Sequence, residues 1–197
     1  MNPIIRNKSV ELASNLFDAN AVIIDTETTG LGCDAQIVQL SAVDMQGNVL
    51  INRMFKPTVD IDSEASKITG ITMKTVKDEP TFAECWTEKI LPVLATHQIF
   101  VAYNSPFDSR MLEQTCKAFD ISCPEMKWED AMRIVSLYRQ APNGKVVSNC
   151  PFPACKLTVV AKELGVEVKD AHDALGDVKM TLAVLQKIAG RENTLER

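Results

Sequence analysis

Residues 21–31, AVIIDTETTGL, set a short apolar run against a polar exit that carries two acids two positions apart. AVII (21–24) reads as a buried strand with Asp25 at its exit. In extended backbone, residues two apart point to the same side about 6.8 Å apart, so Asp25 and Glu27 project together. Two such carboxylates repel unless cations hold them. Standing alone, a D-x-E pair at a strand end is more simply a solvated exit, so the rest of the chain has to decide between the two readings.

IVQLSAVDM (37–45) and NVLINRMF (48–55) flank the turn-compatible Gln46-Gly47 step and read as a hairpin. A loop rich in Pro and Asp follows. TFAECWTEKILPVLAT (81–96) then has Phe82, Trp86, Ile90 and Leu94 each four apart, which predicts a helix, and IFVAY (99–103) reads as another buried strand. Ser105 as cap, Pro106 at the first helical position and Asp108 two residues on predict a helix to about Phe119. WEDAMRIVSLYRQ (128–140) predicts a further helix, ahead of an irregular segment with Asn143-Gly144, Pro151 and Pro153. Two helices close the chain, at about 157–164 and 171–188, the latter striped by Leu175, Val178, Leu182 and Leu185. The expected fold class is α/β: a mixed central sheet flanked by helices, with acids gathered at strand ends and helix starts.

The 197 residues predict one domain spanning 1–197, with its motif-bearing core at about 20–190. A content of 46% hydrophobic and 24% charged residues is globular and excludes disordered and collagen-like classes. The net charge of -5 differs from that of proteins that grip nucleic acid mainly by neutralising phosphates, so any nucleic acid is held locally. Bound cations would reverse the sign of a carboxylate pocket. Six scattered cysteines suggest reduced thiols, and Cys150-x4-Cys155 lacks the second pair that a zinc site would need. Lys and Glu interrupt the apolar residues of the first 17 positions, and no apolar run reaches the ~18 residues of a membrane span, so a cytoplasmic protein without membrane contact is expected.

Two more segments carry acids. YNSPFD (103–108) places Asp108 in a helix's first turn, where an acid also complements the helix dipole. HDALGD (172–177) places His172 and Asp177 five apart at the start of the final helix, about 140° apart around its axis. Each is weak evidence alone. Asp173 competes with Asp177 for the last acid role, but with Asp170 as cap it would occupy the third helical position, where an acid is commonly structural.

Together DTETTGL (25–31), NSPFD (104–108) and HDALGD resemble the three motifs of the DEDD exonucleases, the superfamily of polymerase proofreading domains with a ribonuclease-H-like fold. The subgroup is the one with His in its third motif, as in DnaQ-like proteins. The resemblance implies that Asp25, Glu27, Asp108 and Asp177 hold two magnesium or manganese ions and that His172 takes a proton from the attacking water. It also implies hydrolysis from a 3′ end that releases nucleoside 5′-monophosphates. Oxygen ligands suit these hard ions, and in two-metal sites one ion activates the attacking water while the other stabilises the leaving oxygen. A neutral imidazole can accept the proton. The same likeness suggests Thr28, Gly30, Leu31, Asn104 and Phe107 as substrate contacts. Tyr103 stands where the family often has His, a departure expected to alter the contact to the terminal nucleotide.

Single-stranded DNA is the expected substrate. The alternatives are an exoribonuclease that trims RNA and a non-catalytic nucleic-acid-binding module beside a polymerase. A small-molecule α/β protein is disfavoured because no Gly-rich phosphate loop is present. A homodimer and a polymerase association both stay open. With the chain ending soon after its last helix, a stand-alone enzyme is the expectation. Arg133, Arg139, Lys145, Lys156 and Phe152 around the irregular segment are candidate phosphate and stacking contacts.

Overall fold

The computed structural model describes residues 3–139 and 155–191. Its centre is a five-stranded sheet in the order β3-β2-β1-β4-β5, formed by β1 (Val22–Thr28), β2 (Ile37–Asp44), β3 (Val49–Met54), β4 (Ile99–Ala102) and β5 (Lys127–Asp130). The β1–β2 and β2–β3 pairs are antiparallel; β1–β4 and β4–β5 are parallel. The sheet is therefore mixed, as expected. Alternation along β1 splits the core in two. Ile23 joins Val43 and Val101 against helices α1 (Pro3–Asp18), α7 (Ala131–Tyr138), α8 (Leu157–Glu163) and α9 (Ala174–Ala189). Val22 and Ile24 face the other way, with Leu40, Ala42 and Phe100, towards α4 (Phe82–Cys85), α5 (Leu91–Thr96) and α6 (Ser105–Ala118). Buried on both faces, β2 reads as a nearly continuous apolar run.

The hairpin turn is built less by Gln46 than by Asp44, whose carboxylate accepts the backbone N–H groups of Gln46 and Asn48 at 2.9 Å each. Phe82 anchors the second layer, with its ring centroid 5.2 Å from Phe55 and 5.7 Å from Trp86.

Several expected boundaries differ. The helix over 81–96 is interrupted by a π-helical turn at Trp86–Ile90, where the Leu91 N–H reaches back to the Trp86 carbonyl. Pro92 has no N–H to offer and its ring crowds the preceding turn, and the wider turn absorbs this. Residues 127–130 form β5 and not a helix start, because they pair with β4; Asp130 then caps α7 by accepting from the Met132 N–H at 2.9 Å. The helix with Asp108 begins at Ser105, so the cap position is Asn104 in a left-handed conformation (φ 80°). The last helix begins at Ala174 with Asp173 as its cap, so Asp170 is not the cap and His172 lies outside the helix. The expected loop after β3 holds two short helices, α2 (Ser63–Thr69) and α3 (Met73–Val76). The N-terminal α1, with Ala13, Leu16 and Phe17 buried, had no reading in the sequence.

Among the described residues no helix is long and apolar enough to cross a membrane. Cys33, Cys85, Cys116, Cys123 and Cys155 are free, while Cys150, Lys145 and Phe152 lie outside the described residues.

Candidate active site

Strand β1 presents Asp25 and Glu27 on the face turned towards α9, and the first turn of α9 brings Asp177 to meet them. One carboxylate oxygen from each of these three residues lies within 4.8 Å of the others. Such a spacing suits a shared cation better than three mutually repelling charges. The fourth acid comes from the other side of the strand. Asp108, only 2% exposed in the first turn of α6, accepts a hydrogen bond at 2.8 Å from the hydroxyl of Thr26, the residue between the other two acids. It stands outside the tight group of three but close enough to act on it.

The electrostatics follow from burial and crowding. Loss of water and then the charges of Asp108, Asp177 and Glu27 hold the Asp25 carboxyl well above its usual range. Glu27 is pushed up to about 8 by burial and then by Asp177 and Asp108. Burial takes Asp108 up to about 7, against the Thr26 hydrogen bond that lowers it. Burial also raises Asp177, while the imidazole of His172, whenever it is protonated, and the backbone N–H of His172 pull it down. One oxygen of Asp177, Oδ1, is buried with no hydrogen-bond partner. A buried acceptor without a donor is costly, and a divalent cation would satisfy it. By donor type and spacing, the residues present fit the metal that the sequence implies.

This arrangement has a measurable consequence for stability. Folded-state values raised above the unfolded ones favour the protonated acids, so the stabilisation is complete below the ordinary carboxylate range and is lost as pH rises through about 7 for Asp108 and about 8 for Glu27. The melting temperature of EDTA-treated protein is expected to fall between about pH 5 and pH 8, with magnesium restoring most at the alkaline end. A flat or rising profile without metal would contradict this account of the cluster.

Asp173 is committed elsewhere. Its Oδ1 accepts the backbone N–H groups of Leu175 at 3.1 Å and Gly176 at 3.2 Å, and its Oδ2 accepts the side-chain amide of Gln39 at 2.8 Å. With both oxygens engaged it stands outside the group of three that Asp177 joins. His172 is exposed at the lip of the cluster in a left-handed conformation (φ 66°), on a turn that also holds Asp170 left-handed (φ 48°). That turn packs tightly on α9. A Cβ at Gly176 would collide with the Asp170 carbonyl.

Beside Glu27 runs a mostly apolar groove of about 350 Å³ that includes Thr28, Gly30, Leu31, Ile68 and Phe107. Leu31 is 75% and Ile68 58% exposed, and with Phe107 they give the groove an apolar wall open to solvent. Thr28 is buried and its hydroxyl donates to the Gly30 carbonyl at 2.8 Å, shaping the turn; a Cβ at Gly30 would strike the Asp62 carboxylate. Asn104 is not in this groove, and its backbone N–H donates to Asp130 at 3.1 Å. Tyr103 is half-buried against the core beside α8 and α9, and its hydroxyl donates to the Cys155 carbonyl at 2.6 Å. Arg139 is paired with Glu163 at 2.8 Å.

The sequence reading missed Thr26, Gln39, Asp62 and Ile68. Ala65, Ile68 and Thr69 do have helical spacing that could have revealed α2 within the supposed loop. Gln39 carries no such signal, because a polar residue inside an apolar strand becomes informative only once its cross-strand partner is known.

The exonuclease family described as RNase_T matches residues 22–185, from the first residue of β1 to the last third of α9. The chain belongs to this exonuclease family. A relative, the uncharacterized exonuclease CP81 of Escherichia phage 186, is 34% identical over 90% of this chain and 92% of its own length. The DNA polymerase III subunit epsilon of Aquifex aeolicus is 28% identical over 92% of this chain and 86% of its own. Among solved structures, E. coli Exonuclease I in complex with a dA16 oligonucleotide superposes with a TM-score of 0.67 at 22% identity. That match covers 88% of this chain but 41% of Exonuclease I, and it establishes the shared ribonuclease-H-like fold. The three segments that resemble the family's motifs lie on β1, at the turn from β4 into α6 and at the turn into α9.

Proposed function

We propose that this exonuclease removes nucleotides from the 3′ end of DNA, single-stranded DNA by preference, releasing nucleoside 5′-monophosphates. The observation that carries the reading is the crowding of Asp25, Glu27 and Asp177 within 4.8 Å, with a partnerless buried oxygen on Asp177 and His172 exposed at its rim. Asp25, Glu27 and Asp177, joined by Asp108, would hold two magnesium or manganese ions. When bound, such ions neutralise the scissile phosphate and the leaving 3′ oxygen. His172 takes the proton of the attacking water, for which its exposure and its place beside Asp177 suit it. Leu31, Ile68 and Phe107 give the terminal base an apolar seat, and the Thr28–Gly30 turn sets its floor.

DNA is favoured over RNA by the company of the chain, a polymerase III epsilon subunit among its relatives and an Exonuclease I bound to an oligodeoxynucleotide among its structural neighbours. The reading places one exonuclease domain over residues 1–197 in the cytoplasm. The test uses matched single-stranded DNA, duplex DNA and RNA, each labelled at the 5′ end. Progressive shortening of the labelled single-stranded DNA is expected with magnesium or manganese and none in EDTA. Faster loss of RNA would establish the exoribonuclease instead. Release of the label first as a mononucleotide, or full activity in EDTA, would refute polarity or mechanism respectively.

A further inference from the structure

Gln39 is 3% exposed and sits on β2 directly across the ladder from Glu27. A buried primary amide has to find partners for both its ends. Here both ends go to one place. Its Nε2 donates to Asp173 Oδ2 at 2.8 Å, and its Oε1 accepts the Ala174 N–H at 3.3 Å. One side chain therefore ties the sheet to the cap and to the first residue of α9.

The segment so held is short and strained. Asp170 and His172 are both left-handed without being glycine, a conformation that persists only where the surroundings over-determine it. Three contacts do so: the Gln39 clamp, the Asp173 cap on Leu175 and Gly176, and the bare Gly176 Cα against the Asp170 carbonyl. His172 itself is exposed, so its place follows from the backbone on either side.

We propose that Gln39 is a positioning residue: through Asp173 and Ala174 it fixes the His172 turn in register with the carboxylates of β1. The inference rests on His172 acting as the general base. Because Gln39 shares its ladder position with Glu27, a displacement of α9 relative to β1 is resisted at the same level of the sheet where the acids meet. Partners that orient a reacting imidazole are commonly worth roughly 10-fold to 100-fold in activity.

The test measures kcat and KM on a 5′-labelled single strand, with melting temperatures alongside. Gln39→Leu is expected to lower kcat roughly 10-fold to 100-fold with KM little changed, and to have little further effect in a His172→Ala background. A loss in that background equal to the loss in the parent would overturn the inference. A second arm keeps the question open if Gln39→Leu folds poorly. Gln39→Glu alone sets two carboxylates face to face and Asp173→Asn alone sets two amide donors face to face. The double variant reverses donor and acceptor at unchanged charge and is expected to recover most of the kcat. Recovery of melting temperature without recovery of kcat would equally overturn the inference. If His172→Ala alone retains normal turnover, the general-base reading falls and takes this one with it; loss in His172→Ala with no effect of Gln39→Leu refutes only the clamp.

Discussion

Asp25→Ala and Asp177→Ala are expected to lose about 10³-fold or more of metal-dependent turnover, since a Lewis acid contributes several kcal/mol and each ~1.4 kcal/mol is tenfold. Both residues supply oxygens to the group of three, and the buried Asp177 Oδ1 has no other partner. The fold should survive. Without metal the acids destabilise one another, so removing one relieves repulsion on the rest, and the melting temperature in EDTA at pH 8 is expected to rise. Asp173→Ala is the informative control. It removes a helix cap worth about 1 kcal/mol and the seat of Gln39, but no member of the group of three, so it should cost stability and part of the rate without altering the magnesium requirement. Retained turnover in Asp177→Ala together with abolition in Asp173→Ala would show that the roles are reversed.

His172→Ala is expected to slow the chemical step by roughly 10² to 10⁴, the usual range for a general base, with the magnesium concentration for half-maximal rate little changed. His172 sits next to Asp177 in space and its backbone N–H lowers that carboxylate, yet its ring is exposed, so a loss of rate would not be a loss of core packing. His172→Gln should behave alike, since an amide can hydrogen-bond the water but cannot take its proton. Near-normal turnover in His172→Ala on a 5′-labelled single strand would remove the histidine from the mechanism.

Much of this site could be read from local sequence because its acids are tied to strong local signals. Val22 to Ile24 announce a strand and the alternation carries Asp25 and Glu27 to one face; Pro106 announces the helix that bears Asp108. What escaped depends on contacts far apart in the chain. Lys127 to Asp130 form a strand because β4 is there to pair with, and nothing in KWED alternates. The helical reading of His172 failed because Asp173, and not Asp170, caps the helix, which starts three residues later than the periodicity suggests. Gln39 became legible only when the partner of its buried amide, 134 residues away, was in view.

The position of β1 in the middle of the sheet has a consequence for how the exonuclease can be switched off. Strand β1 is paired with β2 along its length and with β4 at Val22 and Ile23, so Asp25 and Glu27 are held by the β1–β2 ladder and move only with it. The turn with His172 is held by a different set of contacts, the side-chain ties of Gln39 and Asp173 and its packing on α9. On the proposed mechanism the carboxylates and the base are thus held by two separate sets of contacts. Loss of the ties on the turn alone is expected to leave a folded, ion-binding protein that no longer cuts.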